Sequence, residues 1–92
     1  MLQVSHANAV VSALKPGRDG AAILRIYEAS GKATSGVTVQ TSATLMAASE
    51  TNLIEEPGRT IEIRDNRITF NLHPYEIKTF RLQMAPFDAK KP

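Results

Sequence analysis

The sequence has no cysteine and no tryptophan. Without cysteine there are no disulfides and no thiolate zinc sites. Carbohydrate-binding surfaces often use indole platforms, and none can form here. Charge of one sign is also scarce. The formal net charge is +2, and Lys90 and Lys91 sit in the last few residues. The other basic residues are scattered singly, without the aromatic interleaving of a single-strand binder, so nucleic acid is not an expected partner. No apolar run is long enough to span a bilayer, and no basic-then-apolar leader reads as a signal peptide. No Asn-x-Ser/Thr acceptor occurs, since Asn8, Asn52, Asn66 and Asn71 all have the wrong third residue. The expectation is a cytoplasmic protein with no membrane partner.

What remains is 92 residues with 42% hydrophobic content. That is enough for one domain and too little for two. A chain this short spends its inward positions on packing and has little left for a deep pocket. Periodicity is mostly two. Val10 to Lys15 reads as a first strand, closed by the Pro16-Gly17 and Asp19-Gly20 turn signals. Ala21 to Ala29 reads as a second. Its large residues Ile23, Leu24, Ile26 and Tyr27 lie on both parities, which predicts a central strand or one buried on both sides. Val37 to Thr41 alternates, with Val37 and Val39 in and Thr38 and Gln40 out. Ser42 to Leu53 fits a short helix capped by Ser42 or a strand, and is read as strand because its surroundings are strand.

The C-terminal third carries the clearest pattern. Thr60 to Arg64 puts Ile61 and Ile63 on one face, and Arg67 to Leu72 puts Ile68, Phe70 and Leu72 on one face. Asp65 and Asn66 suit a two-residue hairpin turn. The expected register sets Ile63 opposite Ile68 and Ile61 opposite Phe70, with Arg64 facing Arg67. A last strand, Glu76 to Gln83, has Ile77 and Phe80 at opposite parity, which predicts a bulge or burial on both faces. About seven short strands and little helix give a small, antiparallel, immunoglobulin-like β-sandwich over residues 1–84, with a flexible tail at 85–92.

Chemistry is sparse. Of nine acidic residues, Glu28 is the most interesting, since it sits inside a strand beside Tyr27. Glycosidases use facing carboxylates, so Glu28 is a candidate acid, base or sugar-hydroxyl acceptor. The plainer reading makes it a strand carboxylate paired with a neighbouring Arg or solvated. Glu55 and Glu56, before Pro57-Gly58, read as a solvated turn. His6 and His73 are the only histidines. Neither has a ligand-type neighbour at zinc spacing, so no metal site and no cofactor are expected in this chain. Tyr75 is a weak candidate for carbohydrate contact. No nucleophile elbow or phosphate loop occurs.

Several segments together resemble one family. They are Val10 to Lys15 followed by Asp19-Gly20, then Leu24-Arg25-Ile26-Tyr27-Glu28 and Gly31, then Asn52 to Glu56, and finally the run Ile68 to Leu82 with its Pro74-Tyr75-Glu76-Ile77-Lys78 centre. In order and spacing they are similar to the C-terminal β domain of glycoside hydrolase family 38 α-mannosidases. Ile26 stands where the family commonly has Leu, and Tyr75 where it has Phe. The resemblance implies a non-catalytic accessory domain. It implies that the partner is the rest of an α-mannosidase polypeptide, with α-mannosides as its ligand class. It also implies that zinc and the catalytic residues lie in a domain outside this chain. Arg25, Tyr27 and Glu28 match the most distinctive motif and are the candidates for touching that domain. The rival reading is a free-standing module that binds carbohydrate or protein. Aromatics set among polar groups would favour glycan; a bare aliphatic patch would favour a domain interface.

Overall fold

A computed structural model describes residues 2–17, 20–51 and 57–85 of the chain. Among them are eight strands: β1 (Leu2–Val4), β2 (Ala9–Pro16), β3 (Ala22–Glu28), β4 (Thr34–Thr41), β5 (Leu45–Thr51), β6 (Pro57–Ile61), β7 (Arg67–Leu72) and β8 (Ile77–Met84). They form two antiparallel sheets, one ordered β1-β4-β7 and the other β2-β3-β8-β5-β6. The fold is the expected all-β sandwich. The additional strand is β1, three residues long and too short to show a period. The ambiguous Ser42–Leu53 stretch contains strand β5. Of the expected 85–92 tail, Ala85 is described, its amide donating to the Thr44 carbonyl at 2.8 Å; residues 86–92, Asp19 and the Asn52 to Glu56 stretch lie outside the described residues.

The core lies between the sheets. Leu24 and Ile26 of β3, Leu45 and Ala48 of β5, and Phe80 and Leu82 of β8 face Val37 and Val39 of β4 and Ile68, Phe70 and Leu72 of β7. The rings of Phe70 and Phe80 meet across the gap with centroids 4.5 Å apart, a tilted contact of the kind aromatic pairs prefer. The alternation expected for Val37 to Thr41 and for Arg67 to Leu72 holds residue by residue. Strand β3 is interior to its sheet and large residues fill both its faces. Ile23, on the outer side, is buried beneath the β2–β3 connection at Gly17 and Ala21.

One expectation is corrected. The Asp65-Asn66 turn forms as predicted, with φ of 51° and 62°, and Arg64 and Arg67 exchange both backbone hydrogen bonds. The hairpin stops there. Ile61 pairs with Ala48 of β5 while Phe70 pairs with Val37 of β4, so the two arms enter different sheets. Ile61 and Ile63 still reach the same core as Ile68 and Phe70, but from the opposite layer. The apolar pattern therefore specified which side faces in; a shared core satisfies that equally across one sheet or between two. Strand β8 follows its expectation in most respects: its ladder with β3 is regular, its ladder with β5 shifts register between Leu45 and Ala47, and the adjacent Thr79 and Phe80, on opposite faces, are both buried, while Ile77 points to the outer face, 58% exposed.

The side chain of Asn66 explains why the arms part. It accepts from the Leu45 amide at 2.6 Å and donates to the carbonyls of Thr41 and Ala43 at 2.9 and 2.8 Å. The turn is thus fastened to the β4–β5 connection. Nearby the sheets stand apart over a cleft of about 250 Å³ lined in part by Leu2, Leu14, Leu82 and Met84, which leaves Leu14 52% exposed.

Asn66→Ala is expected to destabilise the chain by about 1–3 kcal/mol, since it strands buried backbone groups and places a Cβ residue without a compensating side-chain bond at positive φ. Asn66→Gly tolerates that φ and should lose less. Urea unfolding of the three proteins checks the order. Phe80→Ala should cost about 3–5 kcal/mol in the same experiment.

Candidate functional site

The inward parity of β3 runs Leu24, Ile26, Glu28. A carboxylate therefore occupies a position where the pattern calls for an apolar residue, and it is fully buried at 0% exposure. Burying a charge is expensive unless it is fully hydrogen-bonded. Glu28 receives six bonds, three on each oxygen. Oε1 accepts the backbone amides of Gly31, Lys32 (3.0 Å) and Tyr75 (3.1 Å). Oε2 accepts the Asn8 side-chain amide (2.7 Å), the Ser30 amide (2.9 Å) and the Ser30 hydroxyl. Asn8 also donates to Thr34 Oγ1 at 2.8 Å. Among the described residues no cation pairs with Glu28, so it is neither the arginine partner nor the solvated group that its sequence context suggested.

Its electrostatics follow. Burial acts to raise the Glu28 pKa. The Ser30 hydroxyl, the Asn8 amide and the backbone amides of Ser30 and Tyr75 act to lower it and prevail, holding the carboxyl well below the usual carboxylate range. A group so held has no proton to give near neutral pH and its acceptor sites are engaged, which suits a structural anchor rather than a general acid or base. Glu76 behaves similarly on a smaller scale. Partial burial acts to raise its pKa, and the His73 backbone amide and imidazole, with Lys78, bring it below the ordinary value.

The groups that meet at Glu28 come from three connections. Asn8 lies between β1 and β2, Ser30 to Lys32 between β3 and β4, and Tyr75 between β7 and β8. Two backbone conformations make the junction possible. Gly31 has φ 81° and Tyr75 has φ 58°. A Cβ on Gly31 would lie 2.7–2.9 Å from the Tyr75 phenol, so this position needs glycine for space as well as for φ. Glu28, Gly31 and Pro74-Tyr75-Glu76, 40 and more residues apart in sequence, converge at one end of the sandwich. These are the residues that carried the resemblance.

A comparison with protein-family models matches residues 8–80 to the glycosyl hydrolases family 38 C-terminal beta sandwich domain. The chain belongs to this family. The match opens at Asn8 and takes in all the members of the Glu28 junction. No curated protein matches the sequence.

The other family-38 motif residues point elsewhere. Tyr27 and Arg25 alternate with Glu28 and lie on the outer face of the five-stranded sheet, both half-buried. Tyr27 stands between Val10 of β2 and Ile77 of β8, and together they make a row of three large apolar side chains across that face. Arg25 is in the next row, its Nε 3.5 Å from Thr79 Oγ1. Tyr75 is at the turn, 68% exposed. The outer face of the three-stranded sheet carries Gln3, Ser5, Thr38, Gln40, Arg67 and Thr69 instead, laced by bonds such as Arg67 Nε to Gln40 Oε1 at 3.2 Å. Among the described residues no three His, Cys, Asp or Glu side chains come together as a metal site, and the two histidines are separately engaged, His6 with Ser5 and His73 with Glu76. Asn8 and Ser30 escaped sequence reading because neither has a spacing that distinguishes it from an ordinary loop residue.

Glu28→Gln is expected to lower the thermal midpoint at neutral pH, because the amide nitrogen would face donors. The pH dependence has a definite sign. The unfolded carboxyl binds its proton at about pH 4.3 and the folded one only at lower pH, so stability is full above that value and falls as pH drops toward the folded pKa. Urea midpoints measured from about pH 7 to about pH 2.5 should show a steep acid limb in wild type that is shallower in Glu28→Gln. Gly31→Ala should destabilise at every pH.

Proposed function

We propose that this chain is the non-catalytic accessory sandwich of a family 38 α-mannosidase. In this reading it docks on the rest of the polypeptide through the outer face of its five-stranded sheet, and zinc and the catalytic residues belong to that other part. The observation that carries the reading is the asymmetry of the two outer faces. One is wholly polar. The other presents the Val10–Tyr27–Ile77 row beside Arg25, a mixture of aromatic, aliphatic and guanidinium groups of the kind that anchors interfaces. Arg25 and Tyr27 are then contact residues, and Glu28 supports them from the opposite side of the strand. The interior supports a non-catalytic role as well. Among the described residues its one buried carboxylate is saturated by donors, and the core beside it is built of aliphatic and aromatic side chains.

The 92-residue chain alone is expected to release no nitrophenol from p-nitrophenyl α-D-mannoside, whereas the full-length polypeptide should do so in a zinc-dependent way. Turnover by the purified short chain would overturn the proposal. Ile77→Lys should leave the short chain within about 0.5 kcal/mol of wild type, as exposed substitutions do. In the full-length protein it should lower the inactivation temperature or the activity. Equal behaviour of both full-length proteins would remove this face from the docking role.

A further inference from the structure

At the end of the sandwich opposite Glu28, parity and burial disagree. Leu14 of β2 pairs with Leu24 of β3 and so shares its inward face, yet Leu24 is fully buried and Leu14 is 52% exposed. The cause is position. β2 is the edge of one sheet and β1 the edge of the other, and among the described residues no strand bridges the two edges. The cleft of about 250 Å³ opens there, with Leu2, Leu14, Leu82 and Met84 in its lining. Polar groups beside them are already engaged. The Thr41 hydroxyl donates to the Ala43 carbonyl at 2.6 Å, and the Thr41 and Ala43 carbonyls both accept from Asn66. What is left to cover is mostly leucine and methionine surface, which suits an apolar side chain and offers little to a hydroxylated or charged ligand. The space is also below the about 300–1,000 Å³ of most small-molecule sites.

The chain supplies such a side chain close by. Strand β8 brings Met84 to the cleft, and the Ala85 amide donates to the Thr44 carbonyl at 2.8 Å, which holds the backbone next to the Thr41–Ala43 wall. The sequence then runs Pro86-Phe87-Asp88-Ala89-Lys90-Lys91, with one large apolar residue among small and polar ones. Pro86 has no N–H with which to extend a ladder, so strand parity does not govern the side chain that follows it. Phe87 lies two residues past the Thr44 anchor, a reach of up to about 7 Å. The other two phenylalanines, Phe70 and Phe80, are in the core. We propose that Phe87 seats its ring in this cleft, against Leu14 and Met84, and so closes the open edge between the two sheets. The seat is separate from the proposed docking face, and either can fail without the other.

The test uses the 92-residue chain labelled with 4-fluorophenylalanine, the Phe87 signal being assigned by its loss in Phe87→Ser. That signal is expected away from the position of the free amino acid, with fluorine–proton Overhauser contacts to the methyl groups of Leu14 and Met84. Phe87→Ser should lower the urea midpoint by about 0.5–1 M, because it returns the cleft and the ring's share of buried surface to water. Combined with Leu14→Ala, the loss should be smaller than the sum of the two single losses, as for side chains in contact. The labelled chain keeps Leu14, so its contacts decide the matter should Leu14→Ala fold poorly. A Phe87 signal at the free position without such contacts, contacts to Val10 or Ile77 in their place, or an unchanged urea midpoint in Phe87→Ser each overturns the proposal.

Discussion

Among the described residues the two sheets of this sandwich share no strand-to-strand ladder, so what holds them in register acts through the core and through the connections that cross between them. There are five such crossings among the described strands: β1–β2, β3–β4 and β7–β8 at one end, and β4–β5 and β6–β7 at the other. Glu28 fastens all three crossings at the first end, through Asn8, through Ser30 to Lys32, and through Tyr75. Asn66 fastens both at the second, joining its own turn to Thr41, Ala43 and Leu45. Two polar side chains thus do at the ends what a disulfide does in many small extracellular domains, in a chain without cysteine.

The chemistry of the two fasteners differs for a reason of geometry. At the Asn66 end, donors and acceptors both need partners, and an amide supplies both. At the Glu28 end every group to be satisfied is a donor: four backbone N–H groups, an amide NH₂ and a hydroxyl. An ionised carboxylate is the side chain with only acceptor sites, and charge-assisted bonds are the stronger kind. The same saturation that makes Glu28 a good fastener removes it from acid–base chemistry. The interior is committed to holding the fold, and whatever this domain recognises, it recognises with its surface.

The sequence was legible where a period decides the outcome. Alternation in Val37 to Thr41 and Arg67 to Leu72 gave strand, face and core membership, because a half-buried strand admits one parity only. The Asp65-Asn66 turn was legible for the same local reason. Sheet membership was not. Ile61 and Ile63 needed only to meet the core, and the long-range bonds of Asn66 decided from which layer. Likewise Glu28 stood out as a carboxylate within a strand, but beyond the adjacent Ser30 to Lys32 its partners Asn8 and Tyr75 lie 20 residues before it and 47 residues after it, and no local spacing connects these to it. Strand β1 was missed because three residues cannot display a repeat.

The Arg25–Ile26–Tyr27–Glu28 run shows how a motif of neighbours can serve different ends. Successive residues of a strand face opposite ways, so Ile26 and Glu28 belong to the inside and Arg25 and Tyr27 to the outside. Ile26 packs in the core, and Glu28 closes the end of the sandwich one residue beyond Tyr27. The strand is pinned by that carboxylate and by ladders to β2 and β8 on both sides, and Tyr27 stands half-buried between Val10 and Ile77. A surface group held in that way loses little freedom when a partner covers it, which is the condition under which a small contact area yields useful affinity. If the outer face docks as proposed, changing Glu28 should affect it only through the stability of the strand end, whereas changing Tyr27 should weaken docking itself. The motif reads as one signature in sequence because a single strand has to satisfy both requirements at once.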